Sequence, residues 1–182
     1  HVARVNRTVP DPGPQHIPEH RPTTDADYDA EVASMLAKRP AGPFWLFGFG
    51  SLIWRPETAY EEIRTATARG WHRRFCLGWD ERFRGCPSAP GVMMALDRGG
   101  TCKGVIYRLP EVGLATELNK LLRREMVYKP TSQPWRFVPV TTAEGLLTAV
   151  TFAMDRNSPR YLTGLDDEKI ADVLATAYGF RG

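Results

Sequence analysis

From residue 44 onward the chain is built of short apolar or alternating runs punctuated by Gly and Pro. They are FWLFGF at 44–49, WHRRFCLGW at 71–79, GVMMAL at 91–96, KGVIYRL at 103–109, WRFVPV at 135–140 and LLTAVTFAM at 146–154. This punctuation predicts six β-strands. Within 71–79, Trp71, Phe75, Leu77 and Trp79 fall on one side and His72, Arg74 and Cys76 on the other, as expected of a sheet with one buried face. Arg73 is out of place on the apolar side.

Helical spacing shows in three places. Tyr28, Val32, Met35 and Leu36 recur at helical intervals, with acids in the first turn, Lys38 and Arg39 in the last, and Pro40 and Pro43 beyond, which predicts an amphipathic helix over 25–40. Two more are predicted over about 111–127 and 166–178, the latter opening on acids and closing at Gly179. Ahead of them, Pro10, Pro12, Pro14, Pro18 and Pro22 with little apolar periodicity predict a disordered or extended tail over residues 1–24. Strands that mostly follow one another directly favour an α+β fold over a doubly wound parallel sheet.

Composition narrows the classes. The 182 residues carry ordinary globular proportions, and 24 Lys+Arg against 21 Asp+Glu leave a net charge of +3, too small to demand a polyanionic partner. No apolar run reaches the roughly 18 to 20 residues that cross a bilayer, so the chain is read as soluble, without membrane insertion. Three cysteines, Cys76, Cys86 and Cys102, form no C-x-x-C pair, which argues against a disulfide framework or a thiolate metal site and fits the cytoplasm. Of four histidines only His72 lies outside the tail, so neither a histidine metal cage nor a Ser-His-Asp triad can be assembled. A pairing of Cys86 or Cys102 with His72 as nucleophile and base competes with the commoner role of buried thiols as small hydrophobes.

Three constellations carry candidate chemistry. At about 100° per residue, Leu114, Leu118, Leu121 and Leu122 form one stripe and Glu125 falls near its centre, while Arg123 and Arg124 point elsewhere. A carboxylate on a core-facing stripe is desolvated, its pKa rises, and it becomes a proton shuttle near neutral pH. The alternative is a helix-end Glu turned to solvent or paired with an Arg. Glu117 lies nearby at the helix edge. Next, the run Phe47-Gly48-Phe49-Gly50-Ser51-Leu52 takes a strand into two glycines and a serine, a backbone suited to holding a carboxylate or an oxyanion, though a plain turn explains it equally. It has neither a phosphate-loop ending nor the last glycine of a dinucleotide fingerprint. Last, in the stretch from Arg69 to Gly85 five arginines interleave with Trp71, Phe75, Trp79 and Phe83, a pattern known from single-strand nucleic-acid binding but also the alternation of a buried sheet face.

Taken together, FGFGSLIWRP at 47–56, GWHRRFCL at 70–77, ALDRGG followed by KGVIYRL over 95–109 and RREMVY at 123–128 resemble the ChaC family of γ-glutamylcyclotransferases. Several blocks in the right order carry the resemblance, which spans 44–182. It implies a GGCT-like fold, a mixed and largely antiparallel β-barrel flanked by helices. It also implies release of 5-oxoproline and Cys-Gly from glutathione without a cofactor; the histidine and cysteine placement offers no metal set, and the buried-face alternation of 69–85 favours no nucleic-acid partner. Glu125 matches the family's catalytic acid/base, and Phe49, Gly50, Ser51 and Leu52 match its substrate-binding YGSL loop. Gly48 adjoins that loop, and Arg73 is a candidate for steering the peptide end of the substrate, with a structural ion pair as its alternative. The sequence departs from the family in carrying Phe at position 49 for the usual Tyr and a shorter loop after Met126. A further C-terminal helix expected from the resemblance would lie beyond Gly182. A different class stays open, a non-catalytic ligand-binding or cation-transport-regulating module on the same fold.

Overall fold

The computed structural model describes residues 9–181, so residues 1–8 of the predicted tail lie outside it. In chain order the elements are β1 (Arg21–Pro22), α1 (Asp25–Lys38), β2 (Trp45–Gly48), a 3₁₀ turn (Ser51–Ile53), β3 (Glu62–Asp80), β4 (Gly91–Arg108), α2 (Leu114–Glu125), β5 (Tyr128–Lys129), β6 (Trp135–Thr142), β7 (Gly145–Phe152) and α3 (Asp167–Thr176).

Five of the strands close into a barrel in the order β2-β4-β3-β6-β7. All neighbours are antiparallel except β2 and β7, which meet in parallel at Leu46 and Val150. The mixed barrel flanked by helices is therefore the predicted architecture, but five strands build it where the sequence shows six runs, and β3 and β4 are much longer than those runs. Runs 91–96 and 103–109 belong to one strand, because Gly99 and Gly100 adopt positive φ (104° and 67°) and let β4 continue where an intervening turn was expected. Irregular register between Phe75 and Leu77 and between Leu77 and Asp80 also breaks the expected alternation. Cys76 and Leu77 are both buried, and Trp79 is 40% exposed.

The apolar run of β2 is buried on both faces. Trp45, Phe47 and Phe49 pack with Ala68, Leu96, Ile106 and Val140 inside the barrel, while Leu46 joins Tyr107, Val150 and Phe152 beneath the helices. On that outer layer Tyr28, Val32 and Met35 of α1 meet Leu114, Leu118, Leu121 and Leu122 of α2. Thr24 and Asp27 close a capping box at the start of α1.

The Pro-rich segment runs extended along this body. Asp11 pairs with Arg82 at 2.7 Å, Gln15 Nε2 donates to the Trp79 carbonyl at 3.0 Å, Ile17 is buried, and β1 pairs antiparallel with β5. Thr23 Oγ1 and Tyr28 OH donate to the Met126 carbonyl at 2.7 and 3.1 Å, and Thr23 N donates to the Val127 carbonyl at 3.0 Å. These bonds satisfy carbonyls that follow α2, so the helix end that carries Glu125 is tied down. No helix among the described residues is long and apolar enough to cross a membrane.

Candidate active site

A cleft of about 820 Å³ opens where β2 turns into the 3₁₀ segment, α2 ends, and β3 and β4 leave the barrel. Its lining includes Phe49, Gly50, Ser51 and Leu52 of the turn, Arg124 and Glu125 of the helix end, Tyr128 and Ser132 beyond it, and Leu77, Phe83 and Met93 from β3, β4 and the segment between them. The sequence brought five of its seven candidates here.

Glu125 is the last residue of α2, its side chain 20% exposed. Burial pushes its pKa above the ordinary range for Glu, the nearby Glu57 carboxylate adds to the rise, and Arg124 opposes it. Its place in the last helical turn, where backbone carbonyls gather negative potential, acts in the same direction as burial. The group is thus a carboxylate poised to take up a proton and give it back.

Arg124 departs from expectation. Arg123 does point away, donating to Asn119 and Asp25, but the guanidinium of Arg124 folds back into the cleft. Its Nε lies 3.0 Å from Glu125 Oε1, its Nη2 donates to Ser51 Oγ at 2.8 Å, its Nη1 donates to the Arg55 carbonyl, and Glu57 is 3.5 Å away. One side chain therefore joins the helix end to the turn that faces it. Helical angle gave no sign of this, because a long side chain can reach across the arc its Cα leaves open.

The 3₁₀ turn is built by its glycines. A Cβ at Gly48 would stand 3.1 Å from Leu52 Cβ, tighter than ordinary contact, so a side chain there would press on the turn, whereas a Cβ at Gly50 would meet nothing within 4 Å. Gly50 thus faces open space in the cleft, and Gly48 supports the turn from β2 without lining it. Tyr107 OH secures the turn from behind, donating to the carbonyls of Leu52 and Ile53 at 3.0 and 2.8 Å. Phe49 is buried, its ring packed in the barrel cluster.

Arg73 is not among the residues that line the cleft. Its Nε donates to the Phe49 carbonyl at 2.6 Å and its Nη2 to the Lys103 carbonyl at 2.5 Å, so it braces the entry to the turn. Two further arginines of the 69–85 stretch are also engaged internally, Arg74 with Asp97 and Tyr161 and Arg82 with Asp11. Cys76 and Cys102 are buried thiols with pKa values pushed up by burial, Cys76 to about 11. His72 Nδ1 is bonded to the Gly99 carbonyl at 2.9 Å.

Glu117, taken from sequence as an edge carboxylate, is buried. It accepts from the Ala59 amide at 2.8 Å and from Lys120 Nζ at 2.7 Å, which holds its pKa below the usual range and pins the loop that carries Glu57. Sequence reasoning also missed Glu57, Tyr128 and Arg160 in the cleft. In all, five arginines, Arg55, Arg84, Arg124, Arg160 and Arg181, line it beside two glutamates, a field that favours an anionic ligand.

Residues 44–182 match the family model described as ChaC-like protein. The chain is 42% identical over 157 residues to the glutathione-specific gamma-glutamylcyclotransferase of Escherichia coli (strain K12), covering 84% of this chain and 66% of that one. It is 33% identical over 141 residues to glutathione-specific gamma-glutamylcyclotransferase 1 of Homo sapiens, covering 76% and 63%. The chain thus spans about two thirds or less of the length of these relatives. Among solved structures, the yeast gamma-glutamyl cyclotransferase specific to glutathione superposes with a TM-score of 0.67 at 18% identity, covering 76% of this chain and 80% of that one. That likeness concerns the fold.

Proposed function

The chain belongs to the ChaC family, and from that premise we propose that it is a γ-glutamylcyclotransferase that cleaves glutathione to 5-oxoproline and Cys-Gly. The observation that carries this reading is the Glu125 carboxylate, its pKa raised by burial, in an arginine-rich cleft facing the Phe49–Leu52 turn.

In a γ-glutamyl amide the α-amine lies within reach of the side-chain carbonyl, and closure gives an unstrained five-membered lactam. The enzyme's work is then to bend the substrate and move protons. Glu125 takes a proton from the α-ammonium, and the freed amine attacks the γ-carbonyl carbon. As the new C–N bond forms, Glu125 gives its proton to the cysteinyl nitrogen and takes the second proton off the attacking nitrogen; the old C–N bond breaks, the lactam keeps one N–H, and that second proton leaves with the Cys-Gly amine as its ammonium. No redox change occurs and no water is consumed. The open backbone at Gly50 and Ser51 receives the α-carboxylate or the developing oxyanion, where preorganised donors act most strongly. Arg124 positions both partners, since it holds Ser51 and Glu125 together.

The test is direct. The protein is incubated with glutathione and the products are separated; 5-oxoproline and Cys-Gly in equal amounts are expected. N-acetylglutathione, whose blocked amine cannot attack, should remain intact. Free glutamate in place of 5-oxoproline would overturn the cyclisation and indicate a hydrolase.

A further inference from the structure

Two polar atoms of residues lining this same cleft are buried without a hydrogen-bond partner, Nη2 of Arg160 and the phenolic oxygen of Tyr128. A guanidinium stays charged at any physiological pH, so a buried N–H of Arg160 with no acceptor is costly unless a ligand completes it. Within the protein its best contact is Nε to the Gly78 carbonyl at 3.4 Å, at the outer limit of a hydrogen bond. Among the described residues, no carboxylate comes within ion-pair distance of it. Burial lowers its pKa, while the charge of Asp80 and the phenol of Tyr128 act the other way. Tyr128 is therefore close enough for the two groups to feel one another.

The backbone around both residues is fixed. Gly78 N donates to the Arg160 carbonyl at 3.1 Å, Leu162 N donates to the Cys76 carbonyl at 2.8 Å, and Tyr161 OH is anchored on Asp97 at 2.9 Å. Tyr128 is held opposite Pro22 in the β1–β5 pair. Of the other cationic groups of the cleft, Arg124 is engaged as described and Arg84 donates to the Arg181 carbonyl at 3.0 Å, whereas Arg55 and Arg181 are exposed to solvent and not held in place as Arg160 is.

We infer that Arg160 and Tyr128 form a carboxylate subsite that receives the C-terminal carboxylate of the substrate's peptide portion, remote from the bond that breaks. The inference rests on the cyclotransferase reading. A γ-glutamyl tripeptide has two carboxylates. The α-carboxylate sits one carbon from the attacking amine, so it must stay beside Glu125 and the Phe49–Leu52 turn, which Arg160 does not contact. The remaining carboxylate, at the glycyl end, matches a forked guanidinium with a phenol donor beside it. The subsite makes Arg160 and Tyr128 specificity-determining residues, selecting γ-glutamyl peptides with a free terminal carboxylate over γ-glutamyl amides without one. Arg73, bonded to the Phe49 and Lys103 carbonyls, leaves this role vacant.

The test compares kcat/KM for glutathione with that for its C-terminal amide, in the unaltered protein and in Arg160→Gln and Tyr128→Phe. A charge-assisted bond predicts a preference for glutathione of about ten- to a hundredfold, expressed mainly in KM. Arg160→Gln should bring the ratio to within about threefold of unity, and Tyr128→Phe should lower it by a few-fold. Tyr128→Phe removes a single hydroxyl, whose one protein neighbour of opposite character besides Arg160 is Arg82, already paired with Asp11, so it reports even if Arg160→Gln does not fold. A ratio near one in the unaltered protein, or an unchanged ratio in the variants, overturns the subsite. If neither peptide is turned over, the cyclotransferase reading fails on its own account, and calorimetric titration with the same two peptides decides the subsite. Tighter binding of the free acid, lost in the variants, supports it, and equal affinities overturn it.

Discussion

Arg124 and Glu125 are consecutive in the chain and paired in space, with Nε 3.0 Å from Oε1, although successive helical positions diverge by about 100°. The pairing is possible because α2 stops at Glu125, with Met126 N donating to the Leu122 carbonyl at 2.7 Å, and because Ser51 and the Arg55 carbonyl draw the guanidinium into the cleft. The carboxylate is thus desolvated and orientated at once. Burial raises its pKa, and the partner that moderates the rise also ties it to the opposite wall.

Glu125→Gln keeps the shape of the side chain and removes the proton acceptor. We expect kcat to fall by about 10² to 10⁴, with circular dichroism and melting temperature close to those of the unaltered protein. Glutathione turnover within a few-fold of normal would remove Glu125 from the mechanism.

Arg124→Gln should act through pH. Glu125 works as a base only when ionised, so kcat/KM rises with pH through its pKa. Arg124 is a group that lowers that pKa, so its loss should displace the acidic limb of the profile to higher pH. Arg124→Lys, which keeps the charge without the fork, should restore part of the displacement. An acidic limb that stays in place, or moves down, would contradict the pairing.

What could be read in the sequence is what local geometry determines. Glu125 declared itself because Leu114, Leu118, Leu121 and Leu122 define a stripe, and the Phe47–Leu52 run because glycines at 48 and 50 break a strand. Arg124 is not legible from helical angle, because it is the reach of its side chain that brings the guanidinium to Ser51 and Glu125. Tyr128 and Arg160 carry no local signal at all. They reach the cleft only through the β1–β5 pair and the bonds from 76–78 to 160–162, partners far apart in the chain. The strand count erred for a related reason, since Gly99 and Gly100 look like a turn until the pairing of β3 with β4 carries the strand through them.

Glu117→Ala separates support from chemistry. It leaves the Ala59 amide without its acceptor in a partly buried position, which costs about 1 to 3 kcal/mol. The loop that carries Glu57 then loosens, so KM for glutathione should rise more than kcat falls, with a lower melting temperature. A fall in kcat matching that of Glu125→Gln would mean that Glu117 is the acid/base.

Asp97 anchors the segment that presents Arg160. Its carboxylate is wholly buried, accepting from Arg156 Nε at 2.8 Å, Tyr161 OH at 2.9 Å and the Arg98 amide at 2.8 Å, with Arg74 3.5 Å away. Burial alone would raise its pKa, but the bond from Arg156, then those from the Arg98 amide and Tyr161, outweigh it and hold the group at about 2. A folded pKa below the ordinary value of 3.8 means that the anion stabilises the fold above about pH 4, and that this contribution is lost as pH falls through 2. The shift corresponds to stabilisation on the order of 2 kcal/mol. Asp97→Asn should therefore lower the melting temperature at pH 7 by roughly 4 to 8 °C, and the gap between variant and unaltered protein should narrow as pH approaches 2. Because Tyr161 adjoins Arg160, the variant should also lose part of the preference for glutathione over its C-terminal amide at temperatures where it remains folded. A variant that melts normally and discriminates normally would show that the 156–161 segment is held by its backbone bonds alone, and that the Asp97 carboxylate does not set the position of Arg160.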